Sequence, residues 1–242
     1  MGELCTKEYY IGYIDILGYK NELEHLGENV FLTKINDAIA HSIEKTNEGL
    51  FTEEVEKFET FIKVFSDNIV IGMIANEEYE EFFGEFLRAM NDVQMSMLND
   101  GLLVRGSITK GSLYITERYI YGKGLIRAYE LEDNVSIVPR IIMDIECLGK
   151  ETVEEYRGFF SKDADGFWFI DYLREMNAAE FAKHKTLIEE GIKTAAKTSV
   201  LQKFLWCKEY HNRHCAELVE IFESCGSGSE EEQKKMEMQI ED

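Results

Sequence analysis

The chain has 242 residues, 45% hydrophobic and 12% aromatic, enough for one large domain or an ordinary domain with an extension. Its 47 acidic residues against 26 basic give a formal charge of −21, which argues against an extended nucleic-acid or anionic-membrane surface and leaves room only for a ligand held by a few local Arg and Lys. No apolar run approaches the roughly 20 residues of a membrane span, and the N-terminus MGELCTKEYY lacks a signal-peptide core. The expectation is a cytoplasmic protein with no membrane and no nucleic-acid partner.

In chain order, residues 8–17 read as a buried strand closed by Gly18. From Asn29 the apolar positions Phe31, Ile35, Ala38, Ile39 and Ile43 recur at helical spacing, predicting an amphipathic helix to about Thr46. Residues 58–65 and 68–75 form two β-rich runs joined at Ser66-Asp67, a hairpin. Tyr79, Phe82, Phe83, Phe86, Leu87, Met90, Val93 and Met97 give a clear 3.6 period, a long helix packed on a sheet. Asp100-Gly101 is a turn, and 102–116 is another strand. Strand, helix, strand, strand, helix, strand is the split βαβ, ferredoxin-like plan of an α+β sandwich, in which the first and third strands are central neighbours.

A short strand at 119–121, a helix over 124–131 and a strand through 135–143 follow; Pro139 in the last suggests an edge or a bulge. Residues 163–172 read as a turn and an apolar strand, and 178–223 as two helices. The divisions expected are a core at 1–145, a strand and helical extension packed on it at 146–225, and a disordered acidic tail at 226–242, which has no apolar period.

Two carboxylates draw notice. Asp15 and Asp67 each interrupt an apolar run, and neither has a basic neighbour near in sequence. A carboxylate in such surroundings is costly unless a cation meets it. Side by side at adjacent strand ends the two would suit a hard divalent ion, which takes oxygen ligands and shares them with substrate phosphates; the other reading makes them turn residues, Asp67 above all. The five cysteines are odd in number and scattered, unlike a disulfide framework. Cys207, His211, His214 and Cys215 form C-x3-H-x2-H-C, with 207, 211 and 215 on one helical face, a conceivable zinc site although structural zinc normally draws ligands from two elements.

The aspartate segments EYYIGYIDILGYK and FIKVFSDNIVIGM, followed by LVRGSITKGSLY and YGKGLIRAYELED, resemble the catalytic domain of class III nucleotidyl cyclases, most closely the Pycsar pyrimidine cyclases of bacterial anti-phage defence. The likeness covers residues 8–145, and KFLWCKEYHN at 203–212 is similar to the C-terminal helical segment of the smaller family. It implies that Asp15, Asp67 and the Ile16 carbonyl hold two ions, Mn²⁺ or Mg²⁺, while the amides of Leu17, Gly18 and Tyr19 and the guanidinium of Arg105 meet a triphosphate. The implied reaction is attack of the ribose 3′-OH on the α-phosphorus, giving a 3′,5′-cyclic nucleotide and pyrophosphate. One ion lowers the pKa of the hydroxyl and the other neutralises the leaving group.

The pattern also departs from the family. Where most class III enzymes carry an Asn and an Arg on the helix after the fifth strand, this chain has Ile126 and Glu130, so another cation must stabilise the transition state; Arg127 is the candidate. Lys63 stands where adenylyl cyclases read a purine, but the partner position is Tyr119, whose ring narrows the pocket toward a pyrimidine. Lys63 either donates to the base carbonyls, which favours UTP over CTP, or faces solvent. The resemblance further implies a homodimer with composite sites and a separate effector that responds to the cyclic product. The alternatives are an adenylyl or guanylyl cyclase, or a cyclase-like module without turnover.

Overall fold

The computed structural model describes residues 5–50, 60–77 and 80–225. The tail at 226–242 lies outside them. The chain forms two compact units, residues 1–171 and 172–242.

Unit 1 is built on β1 (Lys7–Ile16), whose residues 9–14 are buried on both faces, as a central strand requires. Gly18 then takes a left-handed conformation (φ 81°) that admits glycine readily, and α1 (Tyr19–Leu26) starts at once. This short helix has no counterpart in the sequence reading. α2 (Glu28–Leu50) follows, then the hairpin β2 (Thr60–Phe65) and β3 (Asn68–Ile74), turning at Ser66-Asp67 as expected, with Ser66 at φ 56°. α3 (Phe83–Asn99) and β4 (Val104–Ile115) complete the split βαβ plan.

The sheet order is β2-β3-β1-β4, extended by β6 (Ile141–Met143), β8 (Trp168–Ile170) and β7 (Phe160–Lys162), with β5 (Ile120–Tyr121) pairing β4 off this path. β1 runs antiparallel to both β3 and β4, aligning Asp15 with Asn68 on one side and Arg105 on the other. The hairpin of β7 and β8 carries the sheet to Ile170, and unit 1 runs on to Asp171.

Side chains alternate between the two faces of β1. Tyr10 packs on Phe83 of α3, ring centroids 4.5 Å apart. On the other face Tyr9, Ile11 and Tyr13 join Val70, Ile74 and Leu113 beneath Ala128 of α4 (Lys123–Asn134). Two glycines let α4 approach: a Cβ on Gly124 would lie 2.9 Å from the Gly111 carbonyl carbon and 2.4 Å from Ile11 Cδ1. Ser107 pins the helix by donating its hydroxyl to the Ala128 carbonyl at 2.7 Å.

The expected strand over 135–143 is shorter than the apolar run. Pro139 has no N–H to give a ladder, and the preceding segment turns tightly, Ile137 N–H reaching Val135 O at 2.9 Å and Arg140 N–H reaching Val138 O at 2.7 Å. β6 therefore begins only at Ile141, and it lies inside the sheet between β4 and β8 rather than at an edge. Arg140, 2% exposed, ion-pairs with Asp163 and Asp165 of the β7–β8 turn. Two short helices, α5 (Ile145–Leu148) and α6 (Lys150–Glu155), follow β6.

Unit 2 contains the two helices expected, α7 (Ala178–Thr194) and α8 (Thr198–Cys225). Asn177 caps α7 through a reciprocal capping box with Glu180. A Cβ on Gly191 would lie 2.2 Å from the Phe204 ring, so the small residue sets how closely α7 and α8 pack.

Candidate active site

Asp15 ends β1 and Asp67 lies in the turn before β3, so strand pairing brings the two together. Ile16 N–H donates to the Asp67 carbonyl at 2.9 Å, tying the two aspartate segments by backbone. Both side chains are partly buried. The backbone after Asp15 is divided in its engagement. Leu17 N–H is committed to Leu103 O at 2.8 Å, so it is not the free amide the resemblance implies. Gly18 and Tyr19 stand at the N-terminus of α1, where no side chain caps the helix and the dipole favours an anion.

The cation beside Asp15 is Arg105. It comes from β4, ninety positions away in sequence, so it does not lie near Asp15 along the chain. Its Nε donates to Asp15 Oδ2 at 3.0 Å and its Nη1 to the Glu132 carbonyl at 3.3 Å. Its Nη2 stands 2.7 Å from Glu132 Oε1, an ion-pair distance, but out of line for a hydrogen bond, and Oε1 is buried without a hydrogen-bond partner. Burial of Glu132, 3% exposed, pushes its carboxyl up to about 7 despite Arg105, with Asp15, Asp133 and Asp67 adding to the rise. Burial likewise lifts the Tyr13 phenol to about 12, with help from Glu132 and Asp15. Glu132 was not foreseen. The available signal was its place four residues after Ala128, on the inner face of α4.

Lys63 reaches the loop that carries Tyr119. Lys63 Nζ donates to the Glu117 carbonyl at 3.1 Å, and the Tyr119 amide donates to Thr116 Oγ1 at 2.9 Å in the same β4–β5 connection. The Tyr119 side chain is 62% exposed.

Arg127, the candidate cation for the transition state, is engaged within its own subunit. It grips Asp144 with two hydrogen bonds, Nε to Oδ2 at 2.8 Å and Nη2 to Oδ1 at 3.0 Å, and reaches Glu146 at 3.0 Å. Asp144 also accepts from Thr109 at 2.7 Å. Thr109 lies four residues along β4 from Arg105, about 13 Å, so within one subunit Arg127 is anchored away from Asp15. Although burial pushes the Asp144 carboxyl up, hydrogen bonds from Arg127, Thr109 and Cys147 hold it below the usual carboxylate range.

The zinc arrangement does not form. Among the described residues no group of three or more His, Cys, Asp and Glu is placed to hold a metal. His211 turns its Nδ1 to His184 Nδ1 at 3.1 Å, His214 packs on Phe181, and Cys207 is fully buried, its thiol pushed up to about 12. Two carboxylates at Asp15 and Asp67 remain, a donor set that suits a hard ion whose shell is completed by water and, with substrate present, by phosphate oxygens.

This architecture is the fold of class III cyclase catalytic cores. The chain is similar to a double mutant of the guanylyl cyclase domain of the RhoGC fusion protein from the aquatic fungus Blastocladiella emersonii, in monomeric form, at 11% identity over 69% of this chain and 97% of that one, with a TM-score of 0.50. Lower in similarity stand an adenylate/guanylate cyclase/hydrolase from Silicibacter pomeroyi (14% identity, 68% and 97% covered, TM-score 0.45) and an adenylate cyclase from Trypanosoma brucei in its monomeric state (10% identity, 71% and 91% covered, TM-score 0.46). No protein-family model matches the chain, and the comparison with curated proteins found no match. No helix among the described residues is long and apolar enough to cross a membrane.

Proposed function

We propose that the chain is a metal-dependent nucleotide cyclase that converts a pyrimidine nucleoside triphosphate, UTP before CTP, to its 3′,5′-cyclic monophosphate and pyrophosphate. The observation that carries this reading is the meeting of Asp15 and Asp67 at adjacent strand ends, joined by the Ile16 to Asp67 hydrogen bond, on a cyclase fold. Asp15, Asp67 and the Ile16 carbonyl would hold Mn²⁺ or Mg²⁺, two ions with substrate present. When bound, the ions supply a lowered pKa at the 3′-hydroxyl and charge neutralisation at the leaving pyrophosphate.

The chain's own groups then have separable tasks. Arg105 would turn its guanidinium from Asp15 to triphosphate oxygens, for which a planar fork is well shaped. The uncapped N-terminus of α1 at Gly18 and Tyr19 favours the same anion. Lys63, held to the loop that carries Tyr119, favours a base with carbonyl acceptors, and the exposed Tyr119 ring narrows the space left for it. The apolar side chains of Ile126 and Tyr129 on α4, 59% and 48% exposed, support a homodimer whose partner covers them and completes each site. The product would act as a second messenger on a separate effector in anti-phage defence.

The test is incubation of the protein with ATP, GTP, CTP and UTP separately, with Mn²⁺ and then Mg²⁺, and mass spectrometry of the products. A cyclic pyrimidine monophosphate supports the proposal. Cyclic AMP or GMP would show that Lys63 outweighs Tyr119 and make this a purine cyclase.

A further inference from the structure

We infer that Glu132 is a positioning residue that draws Arg105 off Asp15, and so sets how readily Asp15 takes a divalent cation. The inference rests on the metal-dependent reading above and deepens it. A cation at Asp15 competes for the carboxylate that already accepts the Arg105 Nε hydrogen bond at 3.0 Å. A cation on Asp15 and a guanidinium hydrogen-bonded to the same carboxylate repel each other at this range. Before a triphosphate arrives to receive Arg105, a second anion beside it relieves that repulsion, and the site provides one.

That second anion is under-used as the site stands. Glu132 is buried, its Oε1 lacks a hydrogen bond, and its 2.7 Å approach to Arg105 Nη2 is out of line. The third contact, Nη1 to the Glu132 carbonyl, is long at 3.3 Å. The guanidinium thus has one well-made bond, to Asp15, and two poor contacts with Glu132. A modest rotation toward Glu132 converts the poor contacts to a forked carboxylate pair and leaves Asp15 open. α4 holds Glu132 in position for this exchange, because Ala128, four residues earlier, is fixed to Ser107 on β4.

The experiment is a double-mutant cycle at pH 8, where Glu132 carries its charge, read by Mn²⁺ affinity in the absence of nucleotide, from the electron paramagnetic resonance signal of free Mn²⁺, with circular dichroism to check each variant's fold. Glu132→Gln weakens Mn²⁺ binding roughly tenfold, within the usual coupling range of about 5- to 150-fold. In an Arg105→Ala background the same change has less than about a twofold effect, since the residue acts through Arg105. An equal loss in both backgrounds would overturn the inference, leaving Glu132 a background charge. Glu132→Asp gives an independent reading should the Gln variant not fold: it keeps the charge but draws it back from Arg105. Weakened Mn²⁺ binding in it supports the positioning role, and wild-type affinity overturns it. Asp15→Asn separates the two levels of the argument. If it binds Mn²⁺ as well as the wild type does, the metal reading itself fails; if it loses binding while Glu132→Gln does not, only the inference fails.

Discussion

Replacing Arg127 with Met distinguishes an arginine that holds the fold from one that stabilises a transition state. The substitution keeps most of the aliphatic stem and removes the two hydrogen bonds to Asp144, whose side chain is 2% exposed and retains the Thr109 hydroxyl. Breaking a fully buried pair costs about 3–5 kcal/mol, but the Arg127 side chain is 37% exposed and solvent screening reduces this to about 2–3 kcal/mol. For a chain of this size the loss corresponds to a fall in Tm of roughly 5–10 °C. The pH dependence has a definite sign. Asp144 is held below its unfolded pKa, so its stabilisation is complete above about pH 4 and is lost as pH falls through the lowered folded value. The gap between wild type and variant is therefore full at pH 7 and closes in acid. Urea unfolding followed by circular dichroism at pH 7 and pH 3.5 measures both. An Arg127→Met protein with unchanged stability and abolished turnover would refute this reasoning and place Arg127 in the chemistry.

Three further outcomes are expected. Asp67→Asn loses roughly 100-fold or more in turnover with little change in urea midpoint, because Asp67 holds Ile16 by backbone and an Asn amide oxygen can still accept the Asn68 side-chain hydrogen bond; retained turnover in product assays would exclude it as a metal ligand. Gly124→Ala gains about 1 kcal/mol in helix propensity but forces a methyl against Gly111 backbone and Ile11, an overpacking cost of about 1–3 kcal/mol, so calorimetry should show no gain in stability and a net loss at the upper end. In unit 2, burial lowers His184 to about 3 and His211 to about 4, so the unfolded state binds more protons below about pH 6.5 and stability falls steadily from there toward pH 4. Fluorescence of Trp206, stacked 5.3 Å from Tyr210, should report that loss, and His211→Gln should flatten the slope; a flat wild-type profile would contradict the burial argument.

What the sequence disclosed depended on how locally each feature is encoded. β1 is a continuous apolar run and α3 carries a helical period over more than ten residues, and both appear close to where those patterns put them. α1 is eight residues between two glycines, too short for a period to emerge. The strand before Met143 was overextended because an apolar run does not record the hydrogen bond that Pro139 cannot make. The two aspartates were legible as candidates since each breaks an apolar run, but the ion pair from Arg105 was not, because pairing of β1 with β4 spans ninety positions. The partner of Arg127 was hidden for the same reason: Asp144 belongs to the chain after β6, and only the folded sheet sets it beside α4. The histidines and cysteines of α8 share a helical face, yet His184 arrives from α7 and pairs with His211 instead.

The measurement that tests the central claim most directly is turnover of the four nucleoside triphosphates by wild type, Asp15→Asn and Asp67→Asn proteins side by side, with Mn²⁺, read by mass spectrometry. The account predicts a cyclic pyrimidine monophosphate and pyrophosphate from the wild type and neither product from the two variants. Equal product from all three, or none from the wild type with any of the four substrates, would contradict it.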